Sequence, residues 1–325
     1  MKKILITGGT GFIGSHLAEF FVKKNFTVTV YDKYNSNNNF GWIENSLYKN
    51  KIKVILGDVC DFKHLDNVIK ENNFVIHLAA LISIPYSYLS PSSFIDTNII
   101  GTYNVLESCK INKIKKVITT STSEVYGSGL YFPIDENHPI QTQSPYSATK
   151  ASADNLSISY QKSFNLPVTV IRPFNVYGPR QSDRAIIPTI IGQLISSQKK
   201  LKLGNLKSQR DYTYVEDLCD AYYNIIKNKK KCNGEILNTG SGKNFSINEI
   251  IKKISNMLRI KKPILMDSQR LRPAKSEVNI LLSSTKKINF HFGWRATTSF
   301  DSGLKKTIKW FLKNNSHLNS NNYRF

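Results

Sequence analysis

Residues 2–21 read KKILITGGTGFIGSHLAEFF, and this stretch decides the fold. An apolar run of strand length leads into a glycine-rich turn, and the turn opens into an amphipathic helical pattern. Gly8, Gly11 and Gly14 permit a tight turn, close approach of the backbone to a pyrophosphate, and close packing of helix on strand. The helix N-terminus offers free N–H groups to phosphates. The pattern predicts a dinucleotide-binding unit.

A second strand-like run, Thr27 to Tyr31, ends at Asp32. An acidic residue at this point can accept hydrogen bonds from a ribose 2′-hydroxyl, and it would repel a 2′-phosphate. The sequence therefore favours NAD over NADP. The alternative is that Asp32 is only a surface residue after a buried strand.

Strand-like runs recur between helical segments, at residues 4–7, 27–31, 53–56, 74–78, 116–120 and 168–171. This alternation predicts an α/β fold with a doubly wound parallel sheet. After residue 172, a looser pattern with three prolines within residues 173–188 indicates a smaller α/β lobe. We expect a Rossmann domain over residues 1–172, with about 209–240 returning to it. The lobe then takes 173–208 and 241–325.

The composition limits the other possibilities. The chain has 325 residues and a formal net charge of +22, but its lysines are scattered, so we do not expect a nucleic-acid partner. It lacks an apolar run of about 18 residues and the pattern of a signal peptide, so we expect no membrane partner and a cytoplasmic location. The four cysteines are too widely spaced for a metal or disulfide pattern.

Two short segments carry chemistry: residues 122–127, TSEVYG, and residues 146–150, YSATK. Tyr146 and Lys150 are four residues apart, so on a helix they share one face. There the ammonium is expected to lower the pKa of the phenol, which makes it a base near neutral pH. Glu124 adds a second base that simple alcohol oxidation does not need. The alternatives are that Thr122 only caps a helix and that Glu124 is a solvated side chain.

Together these motifs resemble the extended short-chain dehydrogenase/reductases, the enzymes that modify nucleotide sugars, over nearly the whole chain. Residues 172–179 (RPFNVYGP), 210–212 (RDY) and 270–273 (RLRP) extend the match. Residues 41–42, 79–88 and 180–184 resemble, more narrowly, the NAD-dependent 4,6-dehydratases of nucleotide-linked N-acetylhexosamines of the legionaminic acid type. Ser123 departs from the dTDP-glucose 4,6-dehydratases, which carry an acidic Asp there.

The resemblance implies roles for individual residues. The implied catalytic residues are Thr122, Ser123, Glu124, Tyr146 and Lys150. The implied NAD-binding residues are Gly8, Gly11, Phe12, Ile13, Gly14, Asp32, Asp58, Val59, Leu78, Ala79, Ala80, Asn98, Tyr146, Lys150 and Pro173. The implied substrate-binding residues are Ser83, Thr122, Asn175, Arg180, Arg210 and Arg272; no metal is implied.

The implied reaction is a 4,6-dehydration. Tyr146 takes the proton of the sugar's 4-hydroxyl while carbon 4 gives up a hydride to NAD. Glu124 takes the hydrogen on carbon 5, and water leaves carbon 6. The stored hydride is then delivered to carbon 6. Three alternatives stay open: a 4-epimerase, a nucleotide-glucuronate decarboxylase, and a dinucleotide-binding regulator without catalysis. The decarboxylase would need a cationic group to receive the uronate carboxylate, and the sequence does not locate one. The resemblance also implies a homodimer through a four-helix bundle formed around residues 98–110 and 146–162; these helices could instead pack only on their own sheet.

Overall fold

The computed structural model describes residues 2–37, 39–229 and 231–318. The strands are β1 (Lys2–Thr7), β2 (Phe26–Asp32), β3 (Ile52–Leu56), β4 (Phe74–His77), β5 (Lys116–Thr120), β6 (Val168–Pro173), β7 (Asn175–Tyr177), β8 (Leu201–Leu203), β9 (Gln209–Tyr214), β10 (Ile236–Thr239), β11 (Asn244–Ser246), β12 (Ile264–Met266) and β13 (Ile280–Leu281). The helices are α1 (Phe12–Lys23), α2 (Phe62–Ile69), α3 (Ile84–Leu89), α4 (Pro91–Phe94), α5 (Gly101–Ile111), α6 (Pro145–Phe164), α7 (Ile186–Ile195), α8 (Val215–Lys227), α9 (Ile247–Leu258), α10 (Lys286–Phe292) and α11 (Phe300–Lys313). A π-helical stretch, Ile95–Ile100, joins α4 to α5, and short 3-10 turns include Ser123–Tyr126.

Seven parallel strands form the main sheet, in the order β10-β6-β5-β4-β1-β2-β3. The chain winds outward from β1 to β3, returns to the centre, and winds in the opposite direction from β4. The direction therefore reverses between β1 and β4, where the loops that follow the two strands diverge and open a crevice. This order confirms the predicted doubly wound α/β fold.

Alternate residues of β1 face opposite helical layers. Ile4 and Ile6 pack with α1 and α8, whereas Leu5 packs with α2, α5 and α6. Because both faces of the sheet are covered, its strands read as nearly continuous apolar runs. The apolar run before the first glycine therefore forms the centre of the core.

The smaller lobe has sheets of its own. In one, β9 pairs with β7, β11 and β13, and in the other β8 pairs with β12. Its core lies between β9 and the helices α7, α9 and α11, with Ile190, Ile251 and Phe311 among its buried residues. The lobe thus folds around an apolar centre distinct from the main sheet.

The stretch expected to return to the main sheet, 209–240, divides at residue 214. The strand β9 belongs to the lobe, because Tyr212 and Tyr214 are buried in the lobe core. Helix α8 packs on α1 and β10 adds to β6, so the return begins with α8 and not at residue 209. Residues 319–325 of the expected lobe lie outside the described residues.

Other properties follow from the described part of the chain. Its helices include none long and apolar enough to cross a membrane. It contains no group of three or more His, Cys, Asp or Glu side chains placed to hold a metal ion. All four cysteines are free thiols, with Cys60 exposed and the other three buried.

Candidate active site

The glycine loop lies at the crevice between β1 and β4. A side chain at Gly8 would meet the backbone N of Ala79 at 2.8 Å, and one at Gly14 would meet the carbonyl of Gly8 at 2.3 Å. A Cβ at Gly11 would make only an ordinary contact, 3.5 Å from the carbonyl oxygen of Gly8. The loop is therefore packed tightly at Gly8 and Gly14 and is more open at Gly11, where α1 begins.

Helix α1 begins at this open side without a capping side chain, because its N-cap residue is Gly11. Its first turn, Phe12 to Gly14, directs N–H groups toward the crevice, where the helix dipole favours an anion. Asp32 lies beside the loop and accepts from the backbone N and the hydroxyl of Thr10, at 2.8 and 2.5 Å. Its other oxygen accepts from the Lys33 N–H and keeps a lone pair for a ribose hydroxyl. These residues fit a dinucleotide.

The loops after β3 and β4 form the other walls of the crevice. Asp58 accepts from the N–H of Cys60 at 2.9 Å, and Val59 is buried beside Gly101. After β4, the N–H groups of Leu78 and Ala79 both donate to the Thr7 hydroxyl at 3.2 Å. Ala80 continues this loop.

A buried histidine supports the same loop. His77 contacts the Thr7 hydroxyl with Nδ1 at 2.8 Å and the Thr102 hydroxyl with Nε2 at 3.0 Å. Burial lowers its pKa to about 3, so it is neutral under working conditions. It fixes the end of β4 and is not an acid or base.

Asn98, predicted to bind NAD, lies beneath the loop after β4. Its amide accepts from the Leu81 N–H at 2.8 Å and donates to the Leu81 carbonyl and the Thr149 hydroxyl, each at 3.0 Å. The side chain is buried in the π-helical stretch. It shapes the wall of the crevice by holding the loop to α6.

The turn after β5 brings the predicted hydroxyl and carboxylate together. Thr122 caps the 3-10 turn by accepting from the Glu124 N–H at 3.2 Å, so it has a structural role beside the predicted catalytic one. Its side chain is also hydrogen-bonded to the phenol of Tyr146 on α6. Ser123 is buried in the same turn. The turn thus holds Thr122 and Glu124 beside Tyr146.

The pKa of Tyr146 differs from the expectation. Burial raises it well above its usual value, the hydrogen bond from Thr122 opposes that shift, and the charge of Glu124 adds to it. The ammonium of Lys150 donates to the carbonyl of Thr120 at 2.5 Å, and burial lowers its pKa to about 8. The net pKa of the phenol is therefore raised and not lowered in this structure, because burial dominates.

An arginine–carboxylate pair, here called the inner pair, lies behind Lys150. Asp154, one turn further along α6, accepts from Arg172 Nε at 2.9 Å and from the Ser121 hydroxyl at 2.8 Å. Arg172 also donates to the Tyr126 hydroxyl at 3.0 Å. Both side chains of the pair are only 4% exposed. The carboxylate raises the pKa of Lys150 against the effect of burial.

A second pair, the outer pair, joins two predicted site residues. Arg272 Nη1 donates to Glu124 Oε2 at 3.3 Å, and the two side chains are 26% and 14% exposed. Arg210 lies 3.8 Å from a carboxylate oxygen of Glu277, which also attracts Arg272. The structure therefore gathers Glu124 and two of the arginines predicted to bind substrate.

The remaining predicted residues lie at the edges of this cluster. Ser83 caps α3, Pro173 ends β6, and Asn175 begins β7 opposite Tyr212. Arg180, predicted to bind substrate, instead donates to Glu19 at 2.8 Å and to the hydroxyl of Ser15 at 3.2 Å, both on α1. Here it fastens the lobe-side loop to the first helix.

Sequence reasoning gave no role to Asp154, Arg172 or Glu277. One signal was present for Asp154: it follows Tyr146 and Lys150 at the same spacing of four, so all three share a face of α6. The partners of Arg172 and Glu277 come from distant parts of the chain, which the sequence pattern does not connect.

The sheet order, the glycine loop and the tyrosine and lysine on one helix define a dehydrogenase of the short-chain type. The family model described as GDP-mannose 4,6 dehydratase matches residues 5–307. The chain therefore belongs to this family of the extended NAD-dependent epimerases and dehydratases, and the family resemblance is confirmed.

Its relatives catalyse different reactions. The chain is 34% identical to a dTDP-D-glucose 4,6-dehydratase of Dictyostelium discoideum, over 98% of this chain and 83% of that protein. It is 33% identical to a UDP-N-acetyl-alpha-D-glucosaminuronate decarboxylase of Bacillus cytotoxicus, over 95% and 98%. Among solved structures, it is similar to a UDP-glucuronic acid 4-epimerase from Bacillus cereus in complex with UDP-glucuronic acid and NAD. That match has a TM-score of 0.87 and 27% identity, over 96% and 99% of the two chains.

Proposed function

We propose that this chain is an NAD-dependent nucleotide-sugar 4,6-dehydratase, and that its sugar is a nucleotide-linked N-acetylglucosamine. The nucleotide-sugar class and NAD are supported by the family and by the ligands of the solved relative. The N-acetylated sugar is supported by the sequence resemblance of residues 79–88 and 180–184. The product would be a 4-keto-6-deoxy sugar.

One observation carries the proposal: two proton acceptors lie at one site. The Glu124 N–H donates to the Thr122 hydroxyl at 3.2 Å, and the same Thr122 side chain is hydrogen-bonded to the phenol of Tyr146. Oxidation of an alcohol needs one acceptor, whereas elimination of water after oxidation needs a second, for the hydrogen on carbon 5. A carboxylate fixed by the 3-10 turn fits this second task.

The proton steps follow from these positions. Tyr146 takes the proton of the 4-hydroxyl, and the Thr122 hydroxyl keeps the phenol oxygen oriented. The ketone at carbon 4 acidifies the hydrogen on carbon 5, and Glu124 removes it, so that water can leave carbon 6. NAD, held in the crevice by the start of α1 and by Asp32, would supply the hydride acceptor and donor.

The test is mass spectrometry of purified protein incubated with UDP-, GDP-, CDP- and dTDP-linked glucose and N-acetylglucosamine, without added reductant. We expect one of them to lose one water, and Glu124→Gln to abolish the loss. Glu235→Gln is the matched control, because it removes a carboxylate that is paired with Lys287. An isomer of unchanged mass would instead make the chain an epimerase.

A second candidate function is a nucleotide-glucuronate decarboxylase, and the outer pair favours it. That reaction needs a cation to receive the uronate carboxylate, and the Arg272 guanidinium lies 3.3 Å from Glu124. One relative is a decarboxylase of this kind. Incubation with UDP-glucuronate and UDP-N-acetylglucosaminuronate separates the two functions. Loss of carbon dioxide from either, with no loss of water from the neutral sugars, would establish the decarboxylase.

We also propose a homodimer. Apolar side chains of the π-helical stretch and α5 are exposed, each to 43% or more: Ile95, Ile100, Tyr103 and Ile111. A row of this kind is typical of a protein interface. Light scattering after gel filtration tests it, and a monomer at micromolar concentration would refute it.

A further inference from the structure

Four charged side chains alternate in sign across the substrate-binding part of the site. Glu124 contacts Arg272, and Arg210 faces Glu277, which also attracts Arg272. The charges of the two arginines are therefore balanced by two carboxylates of the same chain. Arg210 is further held by the carbonyls of Gln209 and Asn279, at 3.0 and 3.3 Å.

Burial explains why the carboxylates take these positions. The side chains of Arg272 and Arg210 are 26% and 8% exposed. A guanidinium that is largely removed from water and lacks an anionic partner is costly, so a carboxylate in contact with it stabilises this arrangement. A diphosphate presents the same kind of anionic oxygens and binds the same planar donors. The carboxylates and a diphosphate are therefore competing partners.

We propose that Arg272 is a positioning residue for Glu124, and that it withholds the base until a substrate diphosphate takes its place on the guanidinium. This inference rests on the proposed function, in which Glu124 removes the hydrogen on carbon 5, and on the prediction that Arg272 binds the substrate, here through its diphosphate. In the same way, Glu277 occupies the Arg210 guanidinium until the diphosphate replaces it. Binding of the nucleotide part then releases the base beside the sugar.

The consequence for catalysis is a coupling between binding and proton transfer. In the outer pair one carboxylate oxygen of Glu124 is held by the Arg272 guanidinium at 3.3 Å. Glu124 is therefore free to approach the sugar only when Arg272 is bound to phosphate. Part of the binding free energy of the diphosphate is used to separate the outer pair, so Glu124 stays held by Arg272 when no substrate is bound.

The experiment measures the affinity of nucleoside diphosphates without a sugar, by titration calorimetry on the protein saturated with NAD. UDP, GDP, CDP and dTDP are the probes, and the tightest binder is carried forward. Glu124→Gln removes the competitor for Arg272, and we expect it to tighten binding about fivefold. Glu277→Gln should tighten it similarly through Arg210. Glu235→Gln, which alters a distant ion pair, should leave the affinity unchanged.

Two further variants separate competition from simple charge repulsion. Glu124→Asp keeps the negative charge but withdraws the carboxylate by about 1.5 Å, which breaks the 3.3 Å contact. We expect it to tighten binding nearly as much as Glu124→Gln, whereas repulsion alone would leave it like the unaltered chain. In an Arg272→Gln background, Glu124→Gln should lose its effect, while Glu277→Gln should keep it.

The possible results distinguish a failure of this inference from a failure of the proposed function. If nucleoside diphosphates bind but Glu124→Gln and Glu124→Asp leave the affinity unchanged, the inference is overturned and the proposed function stands. If none of the four diphosphates binds, both are overturned. UDP-glucuronate is titrated in parallel, and tightening that appears with it but not with the diphosphates overturns the diphosphate as the competitor and places the uronate carboxylate on Arg272.

Discussion

The inner pair and the outer pair consist of the same chemical groups, an arginine and a carboxylate, within one site. In the inner pair, Asp154 accepts from both Arg172 and Ser121, and Arg172 also donates to Tyr126. Each side chain is 4% exposed. In the outer pair, Arg272 and Glu124 share one contact at 3.3 Å and are several times more exposed.

This difference teaches that burial and the number of partners decide what an ion pair does. A pair that is almost completely buried and has further partners inside the protein has no room for a competing ligand, so it holds its place behind Lys150. In a pair that has a single contact next to solvent, an anionic ligand can replace the carboxylate on the guanidinium. The first is suited to structure and the second to function.

The largest expected effect belongs to Tyr146, which lies between the two pairs. Tyr146→Phe removes the acceptor for the 4-hydroxyl proton, so turnover should fall about a thousandfold or more. The change keeps the ring and its contact with Phe94, so the fold should persist. Turnover on the identified substrate and the melting temperature are measured together. A variant that retains a tenth of the turnover would contradict the role given to the phenol.

The free energy of unfolding should separate the two pairs directly. Arg172→Gln leaves the buried Asp154 carboxylate without its guanidinium and should lower this free energy by about 3 kcal/mol. Arg272→Gln should lower it by less than about 1 kcal/mol, because Glu124 can be solvated. Urea titrations at one fixed NAD concentration give both values. Equal losses would show that the two pairs do not differ in the way described.

The pH dependence of activity tests how the inner pair acts on Lys150. Burial lowers the pKa of this lysine to about 8, and the Asp154 carboxylate opposes that shift. Asp154→Asn should lower the pKa further, so the ammonium is lost at lower pH. The alkaline fall in kcat/KM should then move to lower pH by about one unit. Asp301→Asn, at an exposed pair with Lys253, is the control and should leave the profile unchanged.

The smallest effect is expected at Arg180, which pairs with Glu19 on α1. If this third pair only fastens the lobe-side loop to the helix, Arg180→Gln should cost at most about 1 kcal/mol of stability. It should also change KM by less than about threefold. A tenfold rise in KM with unchanged stability would return Arg180 to the substrate-binding residues, as the sequence predicted.

Much of the fold could be predicted from local patterns. Each of the six predicted strands of the main sheet forms, because a short apolar run between a helical pattern and a turn can be buried in few ways other than as a strand. The seventh strand, β10, was expected only as part of a returning stretch. Tyr214 packs in the lobe core, whereas Leu218 packs with α1, so the stretch leaves the lobe between them. Such packing depends on distant parts of the chain and cannot be predicted from a local pattern.

The site was predictable in its residue types and less so in its contacts. Spacing on α6 placed Tyr146 and Lys150 on one face, and the structure retains this. It did not reveal that Lys150 donates to Thr120, or that burial would raise the pKa of the phenol. Both depend on how the end of β5 packs against α6.

The sequence by itself determined the dinucleotide loop, the doubly wound sheet and the presence of a phenol, an amine and a carboxylate at its carboxyl edge. These follow from glycine spacing, apolar periodicity and helical geometry, which act over a few residues. Only the tertiary structure decided which arginine meets which carboxylate, since the partners lie 18 residues apart in the inner pair and 148 in the outer pair. The strength and exchangeability of an ion pair depend on burial, and burial exists only once the chain has folded.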